Sequence, residues 1–563
     1  MSERRTRSGS SNAFIKQAAI LAAAGIAVRL LGFVYRLPLT DLIGDEGNAI
    51  YGIGYNVYNF FLIMSSAGIP AAISKMVSEK RAQGREDVAH RIFRISLVLS
   101  ALTGFIFMLI MFVFAEQITA FMGTREAHLA LQTLAPTVFI VAIMAVIRGY
   151  FQGMSSTVPT AASQLAEQIF NAIFSIILAH ALWNYAMRQG EVYVIYGAAG
   201  GTAGSSVGAL AGFIVITGLY FVARPDILKE VRISKRRNHR RISSRSDDAV
   251  VRKLMEPEKF GSIVKNIVIT SFTIIAGTAI FSIANLIDSR MVLTRLADAG
   301  FGEIEARELF GQLTGKFNTM TNLPAAISSS LAVALIPTIA SAWTTGNRHE
   351  VAEKINTALR VAMIFTVPIA FGFGILGPQL VALLFPNHPD GGTLLIVGFP
   401  SVIFLAASQI ATGVLQAIGK ITIPIYAAMA GVGIKVVVSF FLIAHPAVNI
   451  YGAIIGTTLM YLVTASINCT LLCRYTSTRL NFLTMFAKPT IASIAMVFTC
   501  YIFYGVIYML VPSNAFATIS AILSGVVVYG IYMMLIRGFS DEDIRMLPKG
   551  EAILRKLKSK RLM

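Results

Sequence analysis

The sequence predicts an all-α membrane protein that crosses the bilayer many times, and its composition and its long apolar runs both support this. Of the 563 residues, 55% are hydrophobic and only 14% are charged, and the mean hydropathy is +0.68. Soluble proteins are usually about one-quarter charged. Apolar runs of roughly 20 residues, enough to span about 30 Å of hydrocarbon as a helix, recur along the whole chain. They are too long for the strands of an outer-membrane barrel, which need about 10 residues.

We predict that fourteen of these runs are transmembrane helices. They lie near 13–37, 50–74, 92–115, 128–152, 158–183, 194–222, 263–288, 317–342, 357–385, 392–418, 421–444, 449–473, 487–511 and 514–537. Most of the 48 Lys and Arg residues fall in every second connection, beginning with the N-terminal segment. Since basic connections stay in the cytoplasm, this bias predicts that both termini are cytoplasmic.

The orientation also explains the net charge of +19. The basic run KRRNHRR at 235–241 has the composition of a nucleic-acid patch, but it lies in the long central cytoplasmic connection. Basic residues at that position face anionic lipid headgroups. We therefore expect anionic membrane lipids, and not nucleic acid, as partners. Cys469, Cys473 and Cys500 are interpreted as small apolar residues, so the sequence predicts no disulfide, metal or cofactor.

Short motifs repeat in the same order in the two halves of the chain. PAAIS occurs at 70–74 and 324–328, GxxQ at 149–152 and 413–416, and YGA at 196–198 and 451–453. A unit of six spans returns the chain to its starting side, so the copies share one orientation about a pseudo-two-fold axis along the membrane normal. The predicted domains are an N-lobe (1–222), a basic cytoplasmic loop (223–262), a C-lobe (263–475), a two-helix appendix (476–540) and a basic cytoplasmic tail (541–563). A cavity between two such lobes is the usual place for a substrate.

Polar residues inside spans are candidates for function because they are costly in hydrocarbon. Four of them occur in one copy of the repeat only, and packing common to both copies does not explain these: Arg29, Arg148, Glu167 and Lys435. By the same test, the repeated prolines, glycines and GxxQ are architectural. The full set of predicted substrate-binding residues is Arg29, Arg36, Asn56, Asn59, Arg148, Glu167, Gln168, Asp288, Arg290 and Lys435.

Each candidate also has a structural interpretation. Arg29 lies in mid-membrane, so it either contacts its own lobe or faces a water-filled cleft. Arg36, Arg148 and Arg290 lie near span ends, where their head groups can reach the interface. Glu167 is roughly 13 Å deep by helix rise. Its neighbours Gln164, Gln168 and Asn171 extend a polar face that either joins helices or lines the cavity.

Cations in a cavity favour an anionic substrate, such as a diphosphate head group. An exporter of cationic drugs would use intramembrane carboxylates instead, and Glu167 and Asp288 are the two that qualify. A third possibility, a membrane-embedded glycan polymerase or ligase, needs acid and base groups on sizeable outer loops. The longest outer connection, 289–316, is better interpreted as an interfacial amphipathic helix. We therefore predict a transporter and not an enzyme.

Four stretches resemble a known family: RLLGFVYRLP (29–38), YGIGYNVYNFFL (51–62), AGIPAAISKMVSEKRAQG (67–84) and RGYFQGMSSTVPTAASQLAEQIF (148–170). They are similar to the SpoVB/YtgP group of polysaccharide transporters, relatives of the MurJ (MviN) lipid II flippases in the multidrug/oligosaccharidyl-lipid/polysaccharide flippase superfamily. The resemblance covers nearly the whole chain. Arg29 matches an arginine position of that family's cavity, whereas Arg36 departs from the family pattern.

The resemblance implies a protein of the bacterial cell membrane that moves a polyprenyl-diphosphate-linked oligosaccharide, lipid II first, to the outer leaflet by alternating access. It leaves capsule, exopolysaccharide and spore-cortex precursors open as substrates, together with the drug/cation antiporter alternative. It also implies roles in peptidoglycan synthesis and cell shape. We expect a monomer, driven by the membrane potential or an ion gradient since the sequence contains no nucleotide-binding loop.

Overall fold

A computed structural model describes residues 2–244 and 260–539, and those residues are almost entirely helical. Arg125–Ala127 forms a 3₁₀ turn, and Gln312–Phe317 and Leu483–Ala487 form π turns. The helices are α1 (Ser2–Ser66), α2 (Ile69–Ala82), α3 (Glu86–Val113), α4 (Ala115–Phe121), α5 (His128–Gly153), α6 (Val158–Gln189), α7 (Tyr193–Ser244), α8 (Phe260–Asp298), α9 (Glu303–Gly311), α10 (Asn318–Thr344), α11 (Arg348–Leu384), α12 (Gly392–Ala417), α13 (Thr422–Ile443), α14 (Tyr451–Thr476), α15 (Lys488–Leu510) and α16 (Asn514–Leu535).

The length and hydropathy of these helices confirm a multi-pass, all-α membrane protein. In the described part of the chain, eleven helical segments are long and apolar enough to cross a bilayer. One of them, Ala23–Ala82, covers two predicted spans. The exact number of fourteen and the two-copy layout stay predictions. Part of the predicted central loop (245–259) and the predicted basic tail (541–563) lie outside the described residues.

The chain forms two compact units, and the bounds of the predicted lobes stay predictions. Unit 1 consists of Met1–Leu39 and Ile50–Arg290, and unit 2 consists of Thr40–Ala49 and Met291–Met563. The ten residues 40–49 of α1 therefore belong to unit 2. At Gly44 the helix is interrupted by a φ of 70°. Glycine adopts that conformation without the steric penalty that a side chain would add.

In unit 1, small residues allow α6 and α7 to approach closely. A methyl group at Gly200 would lie 2.7 Å from the Cα of Ala179, and one at Gly208 would lie 2.8 Å from the Cβ of Asn171. Contacts of this kind are the usual means of helix packing inside a bilayer, where apolar burial alone gives no preference for protein over lipid.

The repeated GxxQ glycines make comparable contacts in both units. A Cβ at Gly149 would lie 2.8 Å from the carbonyl oxygen of Pro70, in the first PAAIS stretch. A Cβ at Gly413 would lie 3.1 Å from the Cβ of Ala332, four residues after the second PAAIS stretch. Both contacts agree with the architectural interpretation of this motif.

In unit 2, α15 and α16 pack on α11 around a buried cluster that includes Ile364, Met496 and Ala521. The Tyr529 hydroxyl donates a hydrogen bond to the carbonyl oxygen of Ile364 at 2.8 Å. The two helices of the predicted appendix are thus joined to the rest of unit 2 by both apolar and polar contacts.

Candidate functional site

An arginine and three tyrosines are arranged along α1 in unit 1. The guanidinium carbon of Arg36 lies 3.9 Å from the ring centroid of Tyr51. The ring of Tyr51 stacks on that of Tyr55 at 5.7 Å with an interplanar angle of 12°, and Tyr58 follows at 5.5 Å. We call Tyr51, Tyr55 and Tyr58 the tyrosine ladder. Tyr55 is 38% exposed while its two neighbours are buried, so one ring of the ladder is partly exposed.

The predicted polar face of α6 lies against α1 in the same unit. A methyl group at Gly32 would lie 3.4 Å from the Nε2 atom of Gln168. The Asn171 amide donates to the Tyr35 hydroxyl at 3.4 Å, and its Oδ1 atom accepts from Ser175 at 2.9 Å. Asn171 therefore joins helices. Gln168 is half-buried, and its predicted role in binding stays a prediction.

Arg148 and Glu167, two of the charges found in one copy only, form an ion pair with each other. Arg148 donates to a carboxylate oxygen of Glu167 at 2.8 Å and to the Ser163 hydroxyl at 2.9 Å. The arginine side chain is 12% exposed and the glutamate 31% exposed. Arg148 is thus directed towards α6 and not towards lipid headgroups. The pairing also explains how the Glu167 carboxylate is tolerated inside a predicted span, because Arg148 compensates its charge locally.

The remaining candidates on α1 lie in different surroundings. Arg29 is exposed on the helix surface. The Asn56 amide donates to the Ser289 hydroxyl of α8 at 2.9 Å, and that hydroxyl donates to the Asn285 carbonyl at 2.8 Å. Asn59 is half-buried. Of the two asparagines among the candidates, Asn56 is thus engaged in a contact between helices.

The last three candidates are distributed over both units. Arg290 is exposed at the end of unit 1, with its guanidinium carbon 4.1 Å from the ring centroid of Phe121. Asp288 is half-buried two residues earlier. Lys435 lies in unit 2, where its side chain is only 6% exposed. The structure therefore places nine of the ten candidates in unit 1, and their predicted roles as substrate contacts stay predictions.

A buried ion pair in unit 2 was missed by the sequence reasoning. The Lys316 ammonium lies 2.6 Å from Oδ1 and 2.8 Å from Oδ2 of Asp45, and it donates to the Asp390 carbonyl at 2.9 Å. The lysine side chain is 1% exposed and the aspartate side chain 10% exposed. Both residues lie in predicted outer connections. Their opposite charges were the available signal, but nothing in the sequence pairs residues that are 271 positions apart.

Further polar contacts surround that pair at the same end of unit 2. Arg307, which is almost fully buried, lies 3.4 Å from a carboxylate oxygen of Glu46. Asp41 accepts hydrogen bonds from the backbone and side-chain amides of Asn387 at 3.0 and 2.6 Å. Burial and the nearby carboxylates, Asp45 first, raise the pKa of Glu308 above its usual value. Segment 40–49 is thus held in unit 2 by charged contacts on successive turns.

The fold and the polar side chains that it holds inside the membrane define the class: a multi-pass membrane transporter. The family model described as polysaccharide biosynthesis protein matches residues 14–343, which is more than half of the chain. The chain belongs to this family, as the sequence motifs predicted. A second model, MatE, matches residues 314–441.

Curated relatives from Bacillus subtilis (strain 168) extend over most of the chain. Stage V sporulation protein B is 26% identical over 95% of this chain and 98% of its own length. The uncharacterized membrane protein YabM is 25% identical over 95% and 94%. Lipid II flippase MurJ is 25% identical over 77% and 78%. The chain is thus a membrane transporter related to MurJ and SpoVB, and the predicted location in the bacterial cell membrane is confirmed.

Solved structures support the same fold. The structure described as lipid II flippase MurJ in an inward closed conformation aligns with a TM-score of 0.63 and 14% identity, over 92% of this chain and 98% of that chain. A multidrug resistance MATE family transporter in an inward-facing conformation aligns with a TM-score of 0.62 and 14% identity, over 82% and 98%. At these identities the likeness concerns the fold alone.

Proposed function

We propose that the chain moves a polyprenyl-diphosphate-linked cell-wall precursor, with lipid II as the first candidate, from the cytoplasmic to the outer leaflet by alternating access. The observation that carries the proposal is the row of Arg36 and the tyrosine ladder inside the membrane, in a chain whose relatives include a lipid II flippase. A guanidinium suits a phosphate oxygen, and an open tyrosine ring offers an apolar face and a hydroxyl to a sugar. The transport step is driven by the membrane potential or an ion gradient.

Rescue of cells whose own lipid II flippase can be depleted tests this proposal. Growth should return when the full chain is expressed, and lipid II should reach the outer leaflet, where an impermeant reagent labels it. Arg29→Ala and Arg36→Gln should each reduce labelling at equal membrane abundance. Arg188→Gln is the matched control, because Arg188 is an exposed arginine at the last turn of α6. Absence of labelled lipid II, with the chain present in the membrane, would refute lipid II as the substrate.

A different lipid-linked precursor would keep the transport direction and change the cargo. Capsule, exopolysaccharide and spore-cortex precursors share the polyprenyl diphosphate, so their transport should also depend on Arg29 and Arg36. Outer-leaflet labelling of each precursor in a strain lacking its own transporter distinguishes these substrates.

The match of residues 314–441 to the MatE model favours a drug/cation antiporter as the second candidate. An antiporter of this kind needs a carboxylate that is available to a cation, and Glu167 is engaged by Arg148. Dye export from cells should therefore be unaffected by Glu167→Gln. Loss of ion-coupled export in that variant would instead support the antiporter.

A further inference from the structure

The cytoplasmic end of α7 forms a basic groove that the transport proposal does not use. The helix continues beyond the predicted span at 194–222, through Pro225, to Ser244. A groove of about 490 Å³ is lined there by Pro225, Leu228, Lys229, Arg232, Ile233 and Arg236. Half of these side chains are cationic, and none of the six is acidic.

The opposite side of this helix segment is fixed to unit 1. Ile227 is buried in the apolar core of the unit. Glu230 accepts from Arg81 at 2.8 Å, and the Ser234 hydroxyl donates to Asp87 at 3.1 Å. Arg237 donates to the Gly84 carbonyl at 2.7 Å. The groove therefore stands on an anchored helix, so its three cations keep their spacing without a ligand.

The three cations share one side of α7 with exposed apolar residues. At 100° per residue, Lys229, Arg232 and Arg236 lie within about 60° of one another around the helix axis. Phe221 and Val222, about two turns before Lys229, project on the same side and are 57% and 78% exposed. An apolar surface at the edge of the predicted span thus continues directly into a cationic one.

An apolar surface followed along the helix by a cationic one fits an amphiphile whose acyl chains lie along the span and whose phosphates lie just outside it. A soluble anion would use the cations and leave Phe221 and Val222 without a role. A nucleic acid would need a cationic surface remote from the hydrocarbon, since its backbone is polar throughout. Three cations in two helical turns also exceed what one phosphate requires.

We propose that the basic groove of α7 (Pro225, Leu228, Lys229, Arg232, Ile233 and Arg236) is a docking site for an anionic phospholipid of the cytoplasmic leaflet that carries two phosphate groups. Its acyl chains lie on the Phe221 side of the helix. The site is separate from the Arg36 and tyrosine-ladder surface and does not depend on the transported substrate.

Native mass spectrometry of the purified full chain, titrated with cardiolipin or with phosphatidylcholine, tests the proposal. The wild type should retain cardiolipin at far lower lipid-to-protein ratios than phosphatidylcholine. At about 1 kcal/mol for each basic residue near anionic lipid, Lys229→Gln/Arg232→Gln/Arg236→Gln should weaken retention on the order of 100-fold. The control Lys75→Gln/Arg91→Gln/Arg474→Gln removes the same charge from exposed residues elsewhere in the predicted cytoplasmic part, and it should stay within about threefold of the wild type.

Two further measurements identify what the groove recognises. Phe221→Ala should weaken retention of cardiolipin, while inorganic diphosphate should compete poorly at equal phosphate concentration. An equal loss of cardiolipin retention in both triple variants would show a general charge effect and overturn the proposal. Retention unchanged in the groove variant, or binding of inorganic diphosphate as tight as that of the lipid, would overturn it too.

Discussion

The buried Lys316–Asp45 pair gives a sharp test of what holds segment 40–49 in unit 2. Lys316→Met keeps an unbranched side chain one atom shorter and removes its charge, so Asp45 is left buried without its cation. Removing one partner of a buried ion pair typically costs about 3–5 kcal/mol. The Asp390 carbonyl also loses a hydrogen bond in this variant. We therefore expect a free energy of unfolding lower by about 3–5 kcal/mol.

An exposed pair in the same unit provides the matched control. Lys354 lies 2.6 Å from Glu350, the same distance as in the buried pair, and also donates to a backbone carbonyl. Its side chain is 31% exposed and that of Glu350 is 41% exposed. Because water replaces the lost partner at such a site, Lys354→Met should cost no more than about 1 kcal/mol.

The assay is reversible unfolding of the detergent-solubilised full chain in increasing dodecyl sulfate, followed by tryptophan fluorescence. Lys316→Met/Asp45→Leu should be more stable than Lys316→Met, because the second change removes the uncompensated carboxylate. A cost below about 1 kcal/mol for Lys316→Met, equal to that of the exposed control, would refute the reasoning. The reasoning would also be refuted if the double variant lost as much free energy of unfolding as Lys316→Met and Asp45→Leu lose together.

Three further predictions concern other contacts. Gly311→Ala places a Cβ against the backbone of segment 40–49, so it should lower the free energy of unfolding by about 1–3 kcal/mol, whereas Gly372→Ala, with open space at its Cβ, should leave it unchanged or raise it. Because burial and nearby carboxylates raise the pKa of Glu308, its ionised form is disfavoured in the folded state at neutral pH. Glu308→Gln should therefore raise the Tm at pH 7, and the gain should vanish below about pH 4.5, where the wild-type carboxyl is protonated in both states. Arg148→Met and Glu167→Leu should each destabilise the chain less than Lys316→Met does, since their pair is more exposed, and the double variant should recover part of the loss in the same unfolding assay.

Hydropathy predicted the membrane fold because insertion depends on a property summed over some twenty residues. The same sum is insensitive to where one helix ends and the next begins. The predicted span at 13–37 and most of that at 50–74 accordingly share α1, which is interrupted at Gly44, and the second span ends in α2. The motifs predicted the family because they preserve particular residues at fixed spacing, and the match over residues 14–343 confirms it.

Contacts between helices could not be predicted in the same way. Arg148 and Glu167 were both selected as intramembrane charges, yet the sequence gives no rotation of α5 relative to α6 and so did not pair them. Lys316 and Asp45 were absent from the candidate set because they lie in connections, where a charge is normally solvated. Burial of both depends on segment 40–49 lying in unit 2, which is a property of the tertiary structure.

The Arg148–Glu167 pair also bears on the choice between an anionic and a cationic substrate. A cation that approaches Glu167 must displace an arginine with two hydrogen-bonded contacts, one of them to Ser163. A phosphate that approaches Arg148 competes with the carboxylate of Glu167 for the guanidinium. Arg36 is a second arginine in the same unit. The Glu167 carboxylate is therefore poorly available to a cationic drug, while the guanidinium of Arg36 lies over the ring of Tyr51. These contacts support the proposal of a lipid-linked diphosphate as the substrate over that of a cationic drug.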